Sequence, residues 1–334
     1  MSNAFLEGDP MEDGVYLGVD VGSVSTNLVV MAPSGRIIKK IYLRTEGNPI
    51  GSVQKAFCEV APEFAAVKVL GVGVTGSGRQ LIGTIIGADV IKNEITAHGV
   101  AALRAYPEVR TVLEIGGQDS KIILIENGVA VDFGMNTVCA AGTGSFLDQQ
   151  AHRLNLSISE FGQIALRSKN PVRIAGRCSV FAESDMIHKQ QMGHSLEDIV
   201  AGLCTALVRN YLNNVGKGKE IRPPILFQGG VAANAGIKRA FEQELGHPVI
   251  VPEYYDTMGA WGCALLAQEE KAAYGKTRFR GFQLAEEEIS VTSFECVDCP
   301  NRCEVINVHI NRRPLSGWGD RCGKWQRINA EATG

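Results

Sequence analysis

Short β-branched runs open the chain. Tyr16–Val21, Asn27–Met31 and Arg36–Leu43 read as strands, the last two joined by the turn Ala32-Pro33-Ser34-Gly35. Apolar positions then take helical spacing over Pro49–Ala66. An apolar strand follows at Val67–Val74. The turn Thr75-Gly76-Ser77-Gly78-Arg79 leads into another helix, and Glu94–Tyr106 is a further one. The pattern then restarts. Thr111–Ile115 is a strand closed by Gly116-Gly117, and Lys121–Glu126 and Val129–Phe133 pair around Asn127-Gly128. A strand, a glycine loop and a hairpin thus occur twice, about 95 residues apart (Tyr16 against Thr111), which predicts a duplicated domain.

The second half turns helical, with candidates at Gly142–Leu154, Ile158–Arg167, Ser179–Gln191 and Leu196–Val215. Pro224–Phe227 reads as a buried strand running into Gln228-Gly229-Gly230. A helix over Asn234–Leu245 and a strand over His247–Val251 follow. Met258–Tyr274 closes the core as a helix bearing small Gly259, Ala260 and Gly262. Strands alternating with helices predict an α/β fold with a substantially parallel sheet. The expected organisation is a flexible tail at 1–13, a first subdomain of the repeat at 14–108, a second at 109–274 carrying two isolated cysteines, and a linker with a Cys-bearing extension at 275–334. Gly275–Ser290 is the linker.

Composition narrows the class. Among 334 residues, 45% are apolar and 21% charged, an ordinary globular mix, and the net charge of −3 offers no footprint for nucleic acid or an anionic membrane. No apolar run reaches the ~18 residues of a spanning helix, and no signal-peptide pattern is present, so a cytoplasmic location is expected. Nine cysteines, an odd number, argue against a disulfide framework there and for metal or redox use.

Three loops carry the candidate chemistry. In Gly18-Val19-Asp20-Val21-Gly22-Ser23-Val24-Ser25-Thr26-Asn27, Asp20 ends a strand. Gly22 admits close backbone approach, and Ser23, Ser25 and Thr26 supply hydroxyls for an oxyanion. Asp20 is a candidate Mg²⁺ carboxylate. Glu114-Ile115-Gly116-Gly117-Gln118-Asp119-Ser120-Lys121 repeats the layout, with Glu114 as a second carboxylate and Gln118 suited to orient an attacking water. Gly116, Gly117, Asp119 and Ser120 face the first loop in this reading, so the pair can pinch a triphosphate. Gly229, Gly230 and Asn234 form a third element against which adenine or ribose can lie, and Ala260 joins this candidate nucleotide site. No P-loop is present.

These motifs, LGVDVGSVSTN, LEIGGQDSK and FQGGVAANAG in this order, resemble the actin/Hsp70/sugar-kinase superfamily. Val74–Arg79, Asn93–His98, Asn136–Gly144 and Gly176–Asp185 make the chain look like the activating ATPases of 2-hydroxyacyl-CoA dehydratases and benzoyl-CoA reductases (the BadF/BadG/BcrA/BcrD type). The resemblance covers roughly Gly14 to Gln268. Glu114 stands where an aspartate is usual, and Ser77 where an aromatic residue is common. The resemblance implies a duplicated actin/Hsp70-like, ribonuclease-H-like nucleotide-binding fold with a small Cys-bearing extension. It implies ATP/ADP and Mg²⁺ in the cleft. It also implies a homodimer bridged by one [4Fe–4S] cluster on Cys139 and Cys178 of each chain. A ferredoxin or flavodoxin would be the upstream donor and an iron–sulfur protein the acceptor: a dehydratase, a benzoyl-CoA reductase, or a double-cubane cluster protein. The implied activity is ATP-dependent low-potential electron transfer. A sugar kinase of the same superfamily, with Asp185 or Asp119 as base, and a metal-bearing ATP sensor are the competing readings.

Near the C-terminus, Cys296-x2-Cys299-x3-Cys303-x18-Cys322 is a four-ligand spacing. It suits zinc, a second Fe–S cluster, or unligated thiols.

Overall fold

The structure, a computed structural model, describes residues 14–136 and 138–325. The tail expected at 1–13 and Thr137 of the cysteine motif lie outside the described residues.

Two five-stranded sheets share one plan. In the first, β1 (Val15–Val21), β2 (Ser25–Met31) and β3 (Ile37–Arg44) form an antiparallel meander. Parallel β4 (Val69–Thr75) and β5 (Val90–Ile91) extend it on the other side of β1, giving the order β3-β2-β1-β4-β5. In the second, β6 (Thr111–Ile115), β7 (Ser120–Glu126) and β8 (Val129–Asn136) are the meander. Parallel β9 (Ile225–Gln228) and β10 (Val249–Ile250) complete the order β10-β9-β6-β7-β8. The duplication expected from sequence is therefore present strand for strand. Each sheet is mixed, however, and the substantially parallel sheet is corrected: the hairpins that open each half impose antiparallel pairing.

The strands follow from their patterns. β1 and β2 are almost wholly buried, β1 nearly continuously apolar and β2 apolar from Leu28 onward, whereas edge strand β3 alternates. Several helices begin at side-chain caps. Asn48 accepts from the Gly51 amide at the head of α1 (Pro49–Phe64), with Pro49 in the first turn. Gly78 leads into α2 (Arg79–Ile86), and Asn93 accepts from Thr96 to open α3 (Glu94–Ala105). In the second half, α4 (Gly144–Arg153), α5 (Ile158–Leu166), α6 (Ser179–Gln191) and α7 (Leu196–Asn214) pack against the β6 side, with Leu203, Leu207 and Tyr211 of α7 at the centre of that core. Helix α8 (Ala235–Leu245) follows, capped by Asn234.

Helix α9 (Met258–Tyr274) belongs in space to the first sheet, although sequence order groups it with the second half. It lies so close that a Cβ on Gly18 would sit 1.8 Å from the Ala260 carbonyl, and one on Gly73 2.1 Å from that of Cys263. Only glycine lets the helix backbone approach the sheet this closely.

The described part of the C-terminal segment is attached to the first lobe. The expected linker runs along the first lobe: Phe279 and Phe282 stack edge-on against Phe57 of α1, with centroids 5.8 and 5.4 Å away. The Gln54 amide donates to Leu284 O and Glu287 O, and the Arg278 amide to Asp89. A third sheet follows, β11 (Ile289–Glu295), β12 (Glu304–Ile310) and β13 (Arg313–Trp318), antiparallel throughout. Val308 is fully buried in the core it shares with α1.

Candidate functional site

A cavity of about 510 Å³ lies between the two sheets, where the glycine loops face each other. The sequence candidates Asp20, Gly22, Ser23, Ser25, Glu114, Gly116, Gly117, Gln118, Asp119, Gly229, Gly230 and Asn234 all line it. Thr26, Ser120 and Ala260 do not. Thr26 is buried behind the first loop, hydrogen-bonded to Thr45 and Ser52 at 2.9 and 2.8 Å. Ser120 is buried in β7, and Ala260 is pressed against β1. The loops touch at the mouth: a Cβ on Gly117 would fall 2.6 Å from Val24.

The cavity floor is an ionic cluster centred on Lys121, which sequence reasoning passed over. Its Nζ lies 2.6 Å from Glu94, 3.0 Å from Glu114 and 2.9 Å from Asp119, with only 2% of the side chain exposed. Burial opposes the ammonium charge, but Glu114, Glu94 and Asp119 outweigh it and push the Lys121 pKa up. Burial likewise opposes the Glu94 charge, and Lys121 overcomes it, holding that carboxyl below its ordinary range. Glu114 moves the other way, raised by burial against the pull of Lys121. Its extra methylene relative to aspartate needs room, which Gly229 supplies: a Cβ there would sit 2.7 Å from Glu114 Oε1, and its φ of +89° suits glycine. Asp20 is raised to about 7, first by burial and then by the charges of Glu94 and Asp119. Burial and Lys121 depress His98 to about 3, so its ring is neutral. With the Gln228 amide donating, His98 Nδ1 accepts at 2.8 Å. The signal for Lys121 was its place at the end of the second loop motif; Glu114 and Asp119 belong to that same motif, and Glu94 comes from the head of α3.

Asn234 uses Oδ1 to cap α8 and leaves Nδ2 buried with no hydrogen-bond partner among the described residues, in the cavity wall. A donor so placed suits an acceptor atom of a nucleotide. Hard carboxylates at the floor suit Mg²⁺.

The second loop also grips the element behind it. The amides of Gly144 and Ser145 donate to Gly116 O and Gly117 O at 2.9 and 2.8 Å, and the Ser145 hydroxyl to Gly117 O at 2.6 Å. These residues begin α4, one 3-10 turn (Ala140–Gly142) after Cys139. The helix expected from Gly142 therefore starts two residues later. Asn136 accepts from the amides of Val138 and Cys139 and donates to Cys139 O. Cys178 is the residue preceding α6, its sulfur at a helix N-terminus. The two cysteine segments lie side by side: Cys139 Sγ is 4.0 Å from Arg177 O and 3.8 Å from Asn210 Nδ2, which also donates to Gly176 O. Both sulfurs are partly exposed, beside solvent-facing Val138, Val180 and Phe181. Asp185, a nominee for kinase base, accepts from the Ala175 amide at 2.9 Å and lines no part of the cavity.

A family description of the BadF/BadG/BcrA/BcrD ATPases matches residues 17–267. The chain belongs to that family. It is 34% identical to the 2-hydroxyisocaproyl-CoA dehydratase activator of Clostridioides difficile over 258 residues, 76% of this chain and 95% of that protein. It is also 34% identical to the (R)-2-hydroxyglutaryl-CoA dehydratase activating ATPase of Acidaminococcus fermentans, over 77% of this chain and 98% of that one. The Clostridioides activator with bound ADPNP superposes with a TM-score of 0.70 at 33% identity, covering 78% of this chain and 96% of that one. The Acidaminococcus component A gives 0.71 at 32%, covering 77% and 99%. The fold is thus that of the dehydratase activator ATPases. The family match ends before the third sheet. Among the described residues, no helix is long and apolar enough to cross a membrane.

Proposed function

We propose that this chain is an ATP-dependent reductase that activates a partner iron–sulfur enzyme. It would work as a homodimer sharing one [4Fe–4S] cluster on Cys139 and Cys178 of each chain. Family membership supports the ATPase and activator parts of this reading. The observation that carries the rest is the physical link between cleft and cysteines: the phosphate loop Gly116-Gly117 is hydrogen-bonded to the first turn of α4, immediately after the Cys139 turn.

The donor set fits such a cluster. Two partly exposed thiols lie on adjacent segments, one at a helix N-terminus, with a two-fold mate to complete four ligands. When bound, the cluster would supply a one-electron carrier. In the cleft, Asp20 and Asp119 would hold Mg²⁺, the amides and hydroxyls of Gly22–Ser25 and Gly116–Gly117 would grip phosphate, and exposed Gln118 would orient water. Lys121 keeps the carboxylates of the floor from repelling one another before the metal ion arrives. Movement of Gly117 on γ-phosphate loss would reach Cys139 through α4, a local contact with a distant readout. The physiological acceptor would be a dehydratase, a benzoyl-CoA reductase or a double-cubane cluster protein.

The test is anaerobic purification with iron counted per dimer. Wild type should hold about four irons and a visible absorbance that bleaches with dithionite. Cys139→Ala should lose both and still bind ADP. An iron-replete Cys139→Ala protein, or an iron-free wild type that phosphorylates a sugar, would reject the reading.

A further inference from the structure

The third sheet gathers the remaining clustered cysteines at one end. β11 stops at Glu295 and β12 starts at Glu304, and these two residues are register partners. The loop between them, which holds Cys296, Cys299 and Cys303, is closed by the Cys296 amide donating to Cys303 O at 2.8 Å. β13 ends at Trp318, opposite Ile306, and is therefore directed to that same end. Cys322 lies four residues further on. Sequence spacing alone does not require this: an antiparallel meander brings its first turn and its outgoing tail together only when three strands pair in order.

Side chains tie the two turns. Trp325, from the Cys322 turn, donates its indole N–H to Cys296 Sγ at 3.3 Å and stacks edge-on against Phe294 at 5.0 Å. Asp320 Oδ2 accepts from the Trp325 amide at 3.0 Å and lies 3.7 Å from Cys322 Sγ. Lys324 ion-pairs with Asp298, itself 3.6 Å from Cys296 Sγ. Cys296 is buried, whereas Cys299 and Cys322 are exposed and Cys303 is half-buried. Among the described residues no three His, Cys, Asp or Glu side chains yet converge on a single point.

We propose that Cys296, Cys299, Cys303 and Cys322 bind one Zn²⁺ per chain and that this ion locks the third sheet's open end. Three arguments carry it. Four thiolates from two short turns make the closed, tetrahedral set of a structural zinc site. The sheet buries little of its own: β11 is exposed along almost its whole length, and only Val305 and Val308 of β12 are fully buried, so a cross-link at the turns contributes what the core lacks. The Trp325 N–H and the Lys324 ammonium offset the two net negative charges of a zinc tetrathiolate. The site lies outside the family-matched residues and is independent of the cluster reading.

The test uses the full chain, purified anaerobically, with zinc and iron counted. One zinc per chain is expected in wild type and in Cys139→Ala, and none in Cys303→Ser/Cys322→Ser. The double variant should still bind ADP. Growth with cobalt should give the strong visible bands of a tetrahedral cobalt thiolate. Should the double variant not fold, a chelator titration of wild type decides the matter: hydrogen exchange should rise over β11–β13 on metal loss and stay unchanged over β6–β9. A metal-free tail in folded wild type, iron in place of zinc on these thiols, or stoichiometric zinc surviving the double substitution would each overturn the proposal.

Discussion

Asp20 shows how a buried cavity carboxylate costs the nucleotide-free protein stability. Its folded pKa of about 7 lies above the unfolded value of 3.8. Between those limits the folded chain holds a proton that the unfolded chain has released, so the contribution of Asp20 to stability falls as pH rises from about 4 to about 7 and then levels off. At about 1.4 kcal/mol per tenfold change in proton affinity, the loss is roughly 4 kcal/mol before water in the cleft screens it. Asp20→Asn should therefore be more stable than wild type in nucleotide-free protein at pH 7 and no different at pH 4. Denaturant unfolding at the two values checks this, and a stability difference independent of pH would contradict it. The same variant should bind Mg²⁺–nucleotide more weakly. Lys121 makes the complementary point. Its three carboxylates hold it charged while buried, so Lys121→Met should destabilise the fold by about 3–5 kcal/mol, because Glu94, Glu114 and Asp119 would be left facing one another. Equilibrium denaturation reads that loss directly.

Elements transmit what residues sense. The turn after Cys139 and the start of α4 hang from the second phosphate loop by three hydrogen bonds, and Asn210 of α7 braces Cys139 and Gly176 together. Asn210→Ala should leave ADP affinity within about twofold of wild type while lowering iron retention, since it removes the brace and no cavity-lining group. Calorimetry and iron analysis separate the two effects; equal loss of both would contradict the assignment. The strap that carries the third sheet is held by packing. Phe282, 7% exposed, meets Phe57 and Phe279 edge-on, so Phe282→Ala should cost about 3–5 kcal/mol and release the third sheet first. Hydrogen exchange localised to β11–β13 is the expected sign.

At the scale of the molecule, two sheets of the same plan face each other across one cavity, and the cleft is bridged at its rim by Arg44–Asp148 at 3.8 Å and Lys40–Asp256 at 2.8 Å. Exposed pairs of this kind contribute about 0–1 kcal/mol. In the proposed function, closure would therefore rest on the nucleotide and its metal ion. Asp148→Asn should shift ADP affinity by no more than about threefold, measured by calorimetry at low salt, with the difference fading as salt is raised. A loss of ADP binding in that variant would show that the rim holds the cleft.

The sequence alone determined the elements that depend on neighbours along the chain. Strand patterns, hairpin turns, capped helices and the three glycine loops were legible because backbone conformation and phosphate-binding turns are local, and the repeat was visible because it reused those local signals. It also marked Asp20, Glu114, Cys139 and Cys178 as candidates through motif and spacing. Only the tertiary structure decided which distant groups meet. It placed α9 on the first sheet through Gly18 and Gly73, turned Thr26, Ser120 and Ala260 away from the cavity, and brought Glu94 of α3 onto Lys121 at the end of the second loop. It fastened the expected linker to α1 and brought Cys322 to the same end of the third sheet as Cys296. Burial, charge pairing and strand order are long-range quantities. They are set by the packing of the whole chain, and no local pattern carries them.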